Sequence, residues 1–370
     1  MLGTGVFASW TPALSFAGGH LLVALGIAAA VAGLNAWSSV RLAAIHPVSG
    51  GSYSYGRRWL GRPAGVVAGV SFVVGKSASA GAAALTIGAY VAPERQRAIA
   101  VVAVVFMLSI DLLGVRTSAT VTAALTAVVI GVLVCLVVAV SRGATSSPAG
   151  AVGIAEPGGG VRGLLEAASV LFVAFAGYAR VTVLGEEVRD PRRTIPRAVL
   201  VSLLVALALY FLVGAVVLLA AGAGVVLGSA PLSDVARATG PQWLTSLIPV
   251  AAVIAAGTAL MSLMAGMGRT LFAMAHGGDA PAILSRVSGR RVPLVGELAA
   301  AALVLPVVML GGIAGALALS AGSIGLYYAV AHLSALRMSA DEQPPPRWVP
   351  CAGLVGCAAL MSGAVLALLA

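Results

Sequence analysis

A single lysine inside a long apolar run is the residue of this sequence with the clearest potential for chemistry. Lys76 is the only lysine among 370 residues, and it lies midway between Pro63 and Pro93 in an otherwise apolar segment. In a membrane-spanning helix such a charge is costly and should face a partner or a cavity. We therefore expect Lys76 either to line a substrate path, where it neutralises an anionic group or exchanges a proton, or to be a structural counter-ion.

Two glycine-containing segments could interrupt a helix and expose backbone groups. The first comprises Gly3, Thr4 and Gly5, near the start of the first apolar run, and the second is segment 176–179 in a later run. Glycine costs about 1 kcal/mol in a helix interior relative to alanine, although membrane helices also use it for close packing. If both helices are interrupted, the amides of the first segment suit a carboxylate, and the carbonyls near Phe175 suit an ammonium group. One zwitterion then fits between the two segments.

Aromatic and charged side chains around the second segment could form walls and gates. Phe175 and Tyr178 would supply an apolar wall or gate, or else take part in ordinary packing. The loop that follows carries Glu186 and Glu187 ahead of several arginines. It is either a solvated charge run that sets topology or a gate in which the glutamates pair with distant arginines when the inner path closes. The arginines proposed for that pairing are Arg58 and Arg269. Exposed ion pairs contribute only about 0–1 kcal/mol, which suits a gate that must reopen.

Other kinds of site are not supported. Cys135, Cys351 and Cys357 lie in apolar runs and form neither a CxxC pair nor a Cys/His spacing typical of metal sites. The apolar runs also lack paired carboxylates and a nucleophile with its base, as a membrane enzyme would need. We therefore predict no enzyme activity, no metal site and no cofactor.

The composition is that of a membrane protein. Hydrophobic residues make up 60% of the chain and charged residues 9%, against about 25% charged in soluble domains. The mean hydropathy is +1.05. A net charge of +10 would suggest nucleic-acid binding in a soluble protein, but here the basic residues lie between apolar runs rather than on one face. They are better interpreted as topology signals, so nucleic acid is excluded as a partner.

The apolar runs predict a single transmembrane domain over residues 1–370, with about eleven helices, each needing roughly 20 residues to cross the bilayer. The runs are 1–17, 20–45, 64–92, 96–114, 117–141, 163–187, 196–222, 241–275, 293–312, 314–336 and 350–369. The positive-inside rule places the arginine-rich segment 56–63 in the cytoplasm. The fold class is therefore an all-α polytopic protein, and its predicted location is the cytoplasmic membrane.

Four motifs occur in order along the chain. They are segment 3–7, segment 46–55, segment 175–178 with segment 186–197, and segment 268–281. They resemble motifs of the amino acid–polyamine–organocation (APC) superfamily of amino acid permeases. Segment 3–7 resembles its first-helix glycine motif, and segment 46–55 its Pro-x-x-Gly-Gly-x-Tyr loop. Segments 175–178 and 186–197 resemble its helix 6 with the following loop, and segment 268–281 the end of its helix 8. The resemblance covers nearly the whole chain. It implies an inverted five-helix repeat with discontinuous helices 1 and 6. The first repeat would cover about 1–141, the second about 163–336, and an extra helix about 350–369.

The resemblance implies secondary active transport of a small amino acid by alternating access. The family's substrate-binding segments fall here on Gly3, Thr4, Gly5, Val6, Phe175, Ala176, Gly177 and Tyr178. Lys76 is the candidate for coupling or for lining the path. Glu186, Glu187, Arg58 and Arg269 are the candidate gate residues.

The sequence also departs from the family pattern. It begins at the glycine motif, so we expect either that the true start lies upstream or that the chain lacks the first half of helix 1 and is impaired. We also expect helix 12 to be missing. Some relatives carry an acidic residue where this chain has Ala179, and proton-coupled relatives can carry a lysine near the position of Val129. The lysine-based proton coupling of those relatives therefore cannot be assigned to the corresponding position of this chain.

Substrate and coupling remain open between several alternatives at this stage. Without an acidic residue in the expected pocket, neutral amino acids are favoured, while Lys76 leaves acidic ones possible. Coupling to protons or exchange is favoured over sodium, for which Thr258 and Ser262 are the candidate hydroxyl ligands. The alternatives are an impaired or non-transporting relative, or a carrier of polyamines or other organic amines. The expected partners are an amino acid, the lipid bilayer and protons, and no oligomeric state is predicted.

Overall fold

The computed structural model describes residues 3–48, 50–113, 119–144, 159–178, 191–286 and 294–370. In these residues every regular element is helical. The α-helices are α1 (Gly5–Ala8), α2 (Trp10–Ala17), α3 (Leu21–Ile45), α4 (Ser52–Trp59), α5 (Arg62–Val91), α6 (Gln96–Leu112), α7 (Ala119–Ala144), α8 (Gly160–Phe175), α9 (Pro191–Gly222), α10 (Pro231–Thr239), α11 (Gln242–His276), α12 (Leu294–Leu310), α13 (Ile313–Leu336) and α14 (Trp348–Leu369). The predicted all-α class is therefore confirmed.

Within the described residues, seven helices are long and apolar enough to cross a membrane. They are α3, α5, α7, α9, α11, α13 and α14, and α12 is a shorter apolar helix of 17 residues. A helix of about 20 residues spans the hydrocarbon core. The chain is thus a multi-pass membrane protein. The inverted repeat remains a prediction.

The most enclosed of these helices is α5, which carries Lys76. In its most apolar window 78% of the residues are buried, against 22% for α7. Helices α4, α6, α11, α12 and α13 all pack on α5. Small residues permit this close approach, since a Cβ on Gly75 would meet Ile324 of α13, and one on Gly81 would meet Val307 of α12.

Helices α1 and α2 form an almost continuous rod that is tied to its neighbours. Ser9 separates them in a right-handed helical conformation, and Pro12 in the first turn of α2 has no amide hydrogen to donate to the preceding turn. The indole Nε1 of Trp10 donates to the Val6 carbonyl at 2.6 Å. The Tyr90 hydroxyl donates to the carbonyl of Phe7 at 2.9 Å, which anchors α1 to the end of α5.

Candidate substrate-binding site

The first site segment is the start of α1. Thr4 occupies the N-cap position and Gly5 begins the helix. The Thr4 carbonyl accepts from the amides of Phe7 and Ala8, both at 3.0 Å. The first amides of a helix have no acceptor within it, so this end of α1 presents N–H groups to its surroundings. The Thr4 hydroxyl is buried and has no hydrogen-bond partner among the described residues.

The second site segment is the end of α8. The α-helix ends at Phe175, and a single 3-10 turn, Ala176–Tyr178, follows it. The amide of Ala176 bonds back to the Val173 carbonyl, and the Tyr210 hydroxyl donates to the Ala174 carbonyl at 3.1 Å. The geometry therefore changes at the segment where the sequence predicts an interruption, and carbonyl groups collect at this helix end.

The two segments touch each other. An added Cβ on Gly5 would overlap the Cα and Cβ atoms of Ala174. The start of α1 and the end of α8 are therefore in van der Waals contact, which brings the amide end of one helix close to the carbonyl end of the other. Only glycine at position 5 allows this approach.

A cavity of about 240 Å³ lies beside this contact. This volume is below the range of about 300–1,000 Å³ that is typical for drug-sized ligands, so the cavity suits a small ligand. Helices α5, α7, α11 and α13 also contribute to its walls. The described lining consists of Gly3, Thr4, Gly5, Phe72, Lys76, Ser79, Thr122, Thr126, Val173, Ala174, Ala176, Gly177, Thr258, Ala259, Ser262, Leu263, Ala265, Gly266, Arg269 and Leu317.

Lys76 is part of this lining. Its side chain is 6% exposed, and its ammonium nitrogen lies 5.6 Å from the centre of the Phe72 ring, which is a cation–π arrangement. Among the described lining residues, Lys76 and Arg269 are the ionisable ones. The cavity therefore contains positive charge and, within the described lining, no carboxylate.

The hydroxyl groups on α11 also face the cavity. Thr258 donates to the Ile254 carbonyl at 2.9 Å, and Ser262 donates to the Thr258 carbonyl at 2.7 Å. Both side chains share one face, as their spacing of four residues predicts. In this arrangement each hydroxyl donates to the backbone of its own helix and retains acceptor capacity towards a ligand.

The other predicted site residues are distributed differently. Val6 and Phe175 are fully buried and are not part of the described lining, and the Phe175 ring packs edge-on against Tyr210 at 5.1 Å. In this structure Phe175 takes part in ordinary packing, and its role as a wall or gate stays a prediction. Tyr178 ends the 3-10 turn, but its side chain lies outside the described part of the structure.

The predicted gate is only partly described. Glu186 and Glu187 lie outside the described residues, so their pairing remains a prediction. Arg269 lines the cavity. Arg58 is bound to Glu342, with its Nη2 atom 3.1 Å from a carboxylate oxygen, and the indole of Trp59 donates to the other oxygen at 3.0 Å.

The Glu342 pair lies in the connection between α13 and α14. Burial alone would raise the pKa of Glu342, but hydrogen bonds from Trp59 and Ser339 and the charge of Arg58 outweigh it and lower that pKa. His46 contacts the same arginine at 3.0 Å. Burial and the charge of Arg58 lower the pKa of His46, so the imidazole is neutral at physiological pH.

A second ionic cluster joins α4 and α5 to the end of α11. The carboxylate of Asp279 is fully buried and bound by Arg57 and by Arg62, the latter at 2.5 Å, and the Tyr53 hydroxyl donates to it at 2.9 Å. Burial raises the pKa of Asp279, but the hydrogen bonds from Arg62 and Tyr53 and the charges of both arginines outweigh it and lower that pKa. The carboxylate is therefore ionised across the physiological range. We call Arg57, Arg62, Tyr53 and Asp279 the Asp279 cluster.

Sequence reasoning did not find these carboxylates as partners. Asp279 was visible as part of the motif after helix 8, and Glu342 lies in an unremarkable polar connection. A third acidic residue, Glu297, is 3% exposed in the first turn of α12. In the sequence, Glu297 was recognisable only as an acidic residue near the start of a long apolar run.

In the described residues no group of three potential metal ligands occurs.

Comparison with known proteins decides the family. Residues 1–350 match the family described as amino acid permease. The chain belongs to the amino acid permease family. The predicted superfamily membership is thereby confirmed. The family assignment supports amino acid transport by this permease.

Individual relatives of the permease are also transporters. A protein of Mycobacterium tuberculosis described as an uncharacterized transporter is 44% identical over 363 residues, covering 97% of this chain and 82% of its own length. A branched-chain amino acid permease of Bacillus subtilis is 34% identical over 132 residues, which is 35% of this chain and 28% of that protein. A vacuolar cationic amino acid transporter of Arabidopsis thaliana is 28% identical over 81% of this chain and 55% of its own length.

Proposed function

We propose that this permease moves a small neutral amino acid across the cell membrane by alternating access, either coupled to protons or as an exchanger. The observation that carries the proposal is the cavity of about 240 Å³ beside the contact of the α1 start with the α8 end. Both helix ends contribute to its lining. The family assignment supports an amino acid as the substrate.

The two helix ends match the two charges of an amino acid. The free amides at Gly3, Thr4 and Gly5 attract a carboxylate, because they combine hydrogen-bond donors with the positive end of the helix dipole. The carbonyls near Ala174 attract an ammonium group in the same way. The unpartnered Thr4 hydroxyl adds a polar group at the carboxylate end, where a bound substrate would satisfy it.

The charges of the lining favour neutral over cationic substrates. A lysine-like or polyamine substrate brings extra positive charge into a cavity that already contains Lys76 and Arg269. At low effective dielectric such like charges repel by several kcal/mol, if no carboxylate compensates them. The positive charge of the lining sets the permease apart from relatives that are named for cationic amino acids. It also disfavours polyamines and other organic amines.

An acidic amino acid is the second candidate, and Lys76 is the observation that favours it. Lys76 lines the cavity, and its ammonium group lies over the Phe72 ring, with no ion pair to a carboxylate among the described residues. A side-chain carboxylate of aspartate or glutamate would complement it. The two candidates therefore differ by one charge on the substrate side chain.

Counterflow in proteoliposomes tests the proposal. Vesicles that contain the purified permease are loaded with one unlabelled amino acid at millimolar concentration, and uptake of its labelled form is followed without any ion gradient. We expect uptake for a subset of neutral amino acids, and none for lysine, arginine or putrescine. Selective counterflow of aspartate and glutamate supports the second candidate. Absence of counterflow for all twenty amino acids contradicts transport and supports a non-transporting relative.

A further inference from the structure

A buried carboxylate lies directly behind the candidate substrate cavity. Glu297 is 3% exposed, and its Oε2 atom has no hydrogen-bond partner among the described residues. A buried carboxylate oxygen without a hydrogen bond is costly, because it has lost its hydration and has no donor to replace it. Such a group in a membrane helix usually marks an ion or proton pathway.

The backbone of α11 makes room for this carboxylate. A Cβ on Gly268 would lie 2.5 Å from Oε1 of Glu297, so glycine at this position leaves the space that the carboxyl group occupies. On α12, a Cβ on Gly296 would lie 3.0 Å from the Gly268 carbonyl. The two helices therefore cross closely at these glycines, with Glu297 at the crossing. The next residue along α11, Arg269, lines the substrate cavity.

Two other charged groups act on Glu297. The negative charge of Asp111 on α6 disfavours its ionised form, and the positive charge of Arg269 on α11 favours it. The other elements packed on α12 are α5 and the turn Ala282–Ser285. The turn has no ionisable side chain, and α5 contributes Lys76 on the cavity side. Glu297 therefore has one acidic and one basic neighbour, Asp111 and Arg269.

We propose that Glu297 is the proton-binding site of this permease, and that Arg269 communicates its charge state to the substrate cavity. This inference rests on the proposed function and specifies its coupling ion. Ionised Glu297 attracts the Arg269 guanidinium, whereas protonated Glu297 releases it toward the cavity. The proton binds to a carboxylate oxygen from water on one side of the membrane and leaves to water on the other side. No bond other than O–H forms or breaks.

A proton is a better ligand here than a metal cation. The carboxylate already contacts the α11 backbone at Gly268, and sodium or calcium needs several oxygen ligands around it. The described residues include no group of three acidic, histidine or cysteine side chains that could hold a metal ion. A single oxygen with an open lone pair is sufficient for a proton.

The test separates net uptake from exchange in the full-length permease. Wild type, Glu297→Gln and the control Glu94→Gln are reconstituted in proteoliposomes, with the best amino acid from the counterflow panel as substrate. Glu94 is exposed in the turn Pro93–Arg95 and serves as a matched Glu-to-Gln change. Net uptake is driven by a pH gradient, and counterflow is measured at equal pH on both sides.

We expect Glu297→Gln to lower net uptake at least tenfold and to leave counterflow within twofold of wild type. A neutral side chain mimics the protonated state, so exchange of bound substrate continues while proton release is lost. Glu94→Gln should match wild type in both assays. Net uptake by Glu297→Gln at the wild-type rate overturns the inference, as does wild-type uptake driven by a sodium gradient without a pH gradient. Loss of counterflow in a folded Glu297→Gln protein overturns it as well.

A second variant covers the case in which Glu297→Gln does not fold. Glu297→Asp keeps a titratable group but shortens it, so the pH at which net uptake is half-maximal should shift by at least half a unit. An unchanged pH profile overturns the inference. If the wild type itself shows no counterflow, the proposed function fails, and that result differs from a loss confined to the Glu297 variants.

Discussion

Gly5 at the start of α1 lies directly against Ala174 near the end of α8. A methyl group on Gly5 would overlap the backbone of Ala174 as well as its side chain. This contact joins the two segments that the sequence singled out from residues more than 160 positions apart. It also places helix ends of opposite polarity beside one cavity.

The Gly5–Ala174 contact predicts the effect of adding one methyl group. Gly5→Ala must push the two segments apart, and overpacking of this kind typically costs about 1–3 kcal/mol. We expect amino acid binding to weaken at least about tenfold, since 1.4 kcal/mol corresponds to a factor of ten. Equilibrium binding of a labelled substrate to the purified protein measures this.

Gly26→Ala is the matched control for that experiment. Gly26 lies within α3, and a Cβ added there meets no other atom within 4 Å. This substitution should leave binding unchanged and slightly favour the helix. Equal effects of the two changes, or none at Gly5, would show that the contact does not support the site.

Lys76 should affect transport through the charge of the cavity. Lys76→Ala removes one of the two positive charges of the described lining. We expect driven uptake to be lost, or its dependence on pH to change, because the charge balance around the bound substrate is altered. Uptake is measured from pH 5 to pH 8. A pH profile that matches the wild type in rate and shape would exclude this role of Lys76.

The Asp279 cluster should stabilise the permease at neutral pH. Asp279→Asn leaves Arg57 and Arg62 without their shared carboxylate. We expect a loss of about 1–2 kcal/mol of stability, which is modest because both arginines reach solvent. Thermal unfolding in detergent at pH 7 measures the change, with the exposed Glu94→Gln as control.

The same cluster predicts the direction of a pH effect. The pKa of Asp279 in the folded state lies below its ordinary value of 3.8. The stabilisation from this carboxylate is therefore complete above about pH 5 and disappears as the pH falls through the lowered pKa. The difference in melting temperature between wild type and Asp279→Asn should shrink at pH 3. A difference of the same size at pH 3 and pH 7 would contradict the assignment.

The pairing of Arg58 with Glu342 predicts a charge-swap result. Arg58→Glu places two carboxylates side by side, so thermal stability should fall, and the double change Arg58→Glu with Glu342→Arg should restore at least half of the loss. Thermal unfolding of the wild type, both single variants and the double variant measures this coupling. Additive effects of the two single changes would mean that the ion pair contributes nothing.

Much of the architecture was predictable because long apolar runs leave little choice. The run 64–92 corresponds to α5, Arg62–Val91, and the run 241–275 to α11, Gln242–His276. In lipid the backbone must satisfy its own hydrogen bonds, so such runs become helices. Gly177 likewise lies in the 3-10 turn that follows the α-helix after Phe175.

The side-chain partnerships were less predictable, because they depend on contacts between distant parts of the chain. Phe175 is the last residue of α8, yet its ring packs against Tyr210 of α9 and is not part of the described cavity lining. Arg58 is a predicted gate partner of Glu186 or Glu187, which lie outside the described residues. Within the described residues it binds Glu342, 284 positions away. No local pattern in the sequence encodes which of several carboxylates a given arginine will reach.

The central claim is that an amino acid binds between the start of α1 and the end of α8. An experimental structure of the permease determined with a saturating transported amino acid tests it most directly. The account predicts substrate density with its carboxylate at the amides of Gly3–Gly5 and its ammonium group at the carbonyls near Ala174. A substrate bound elsewhere, with these two helix ends in contact only with protein, would contradict it.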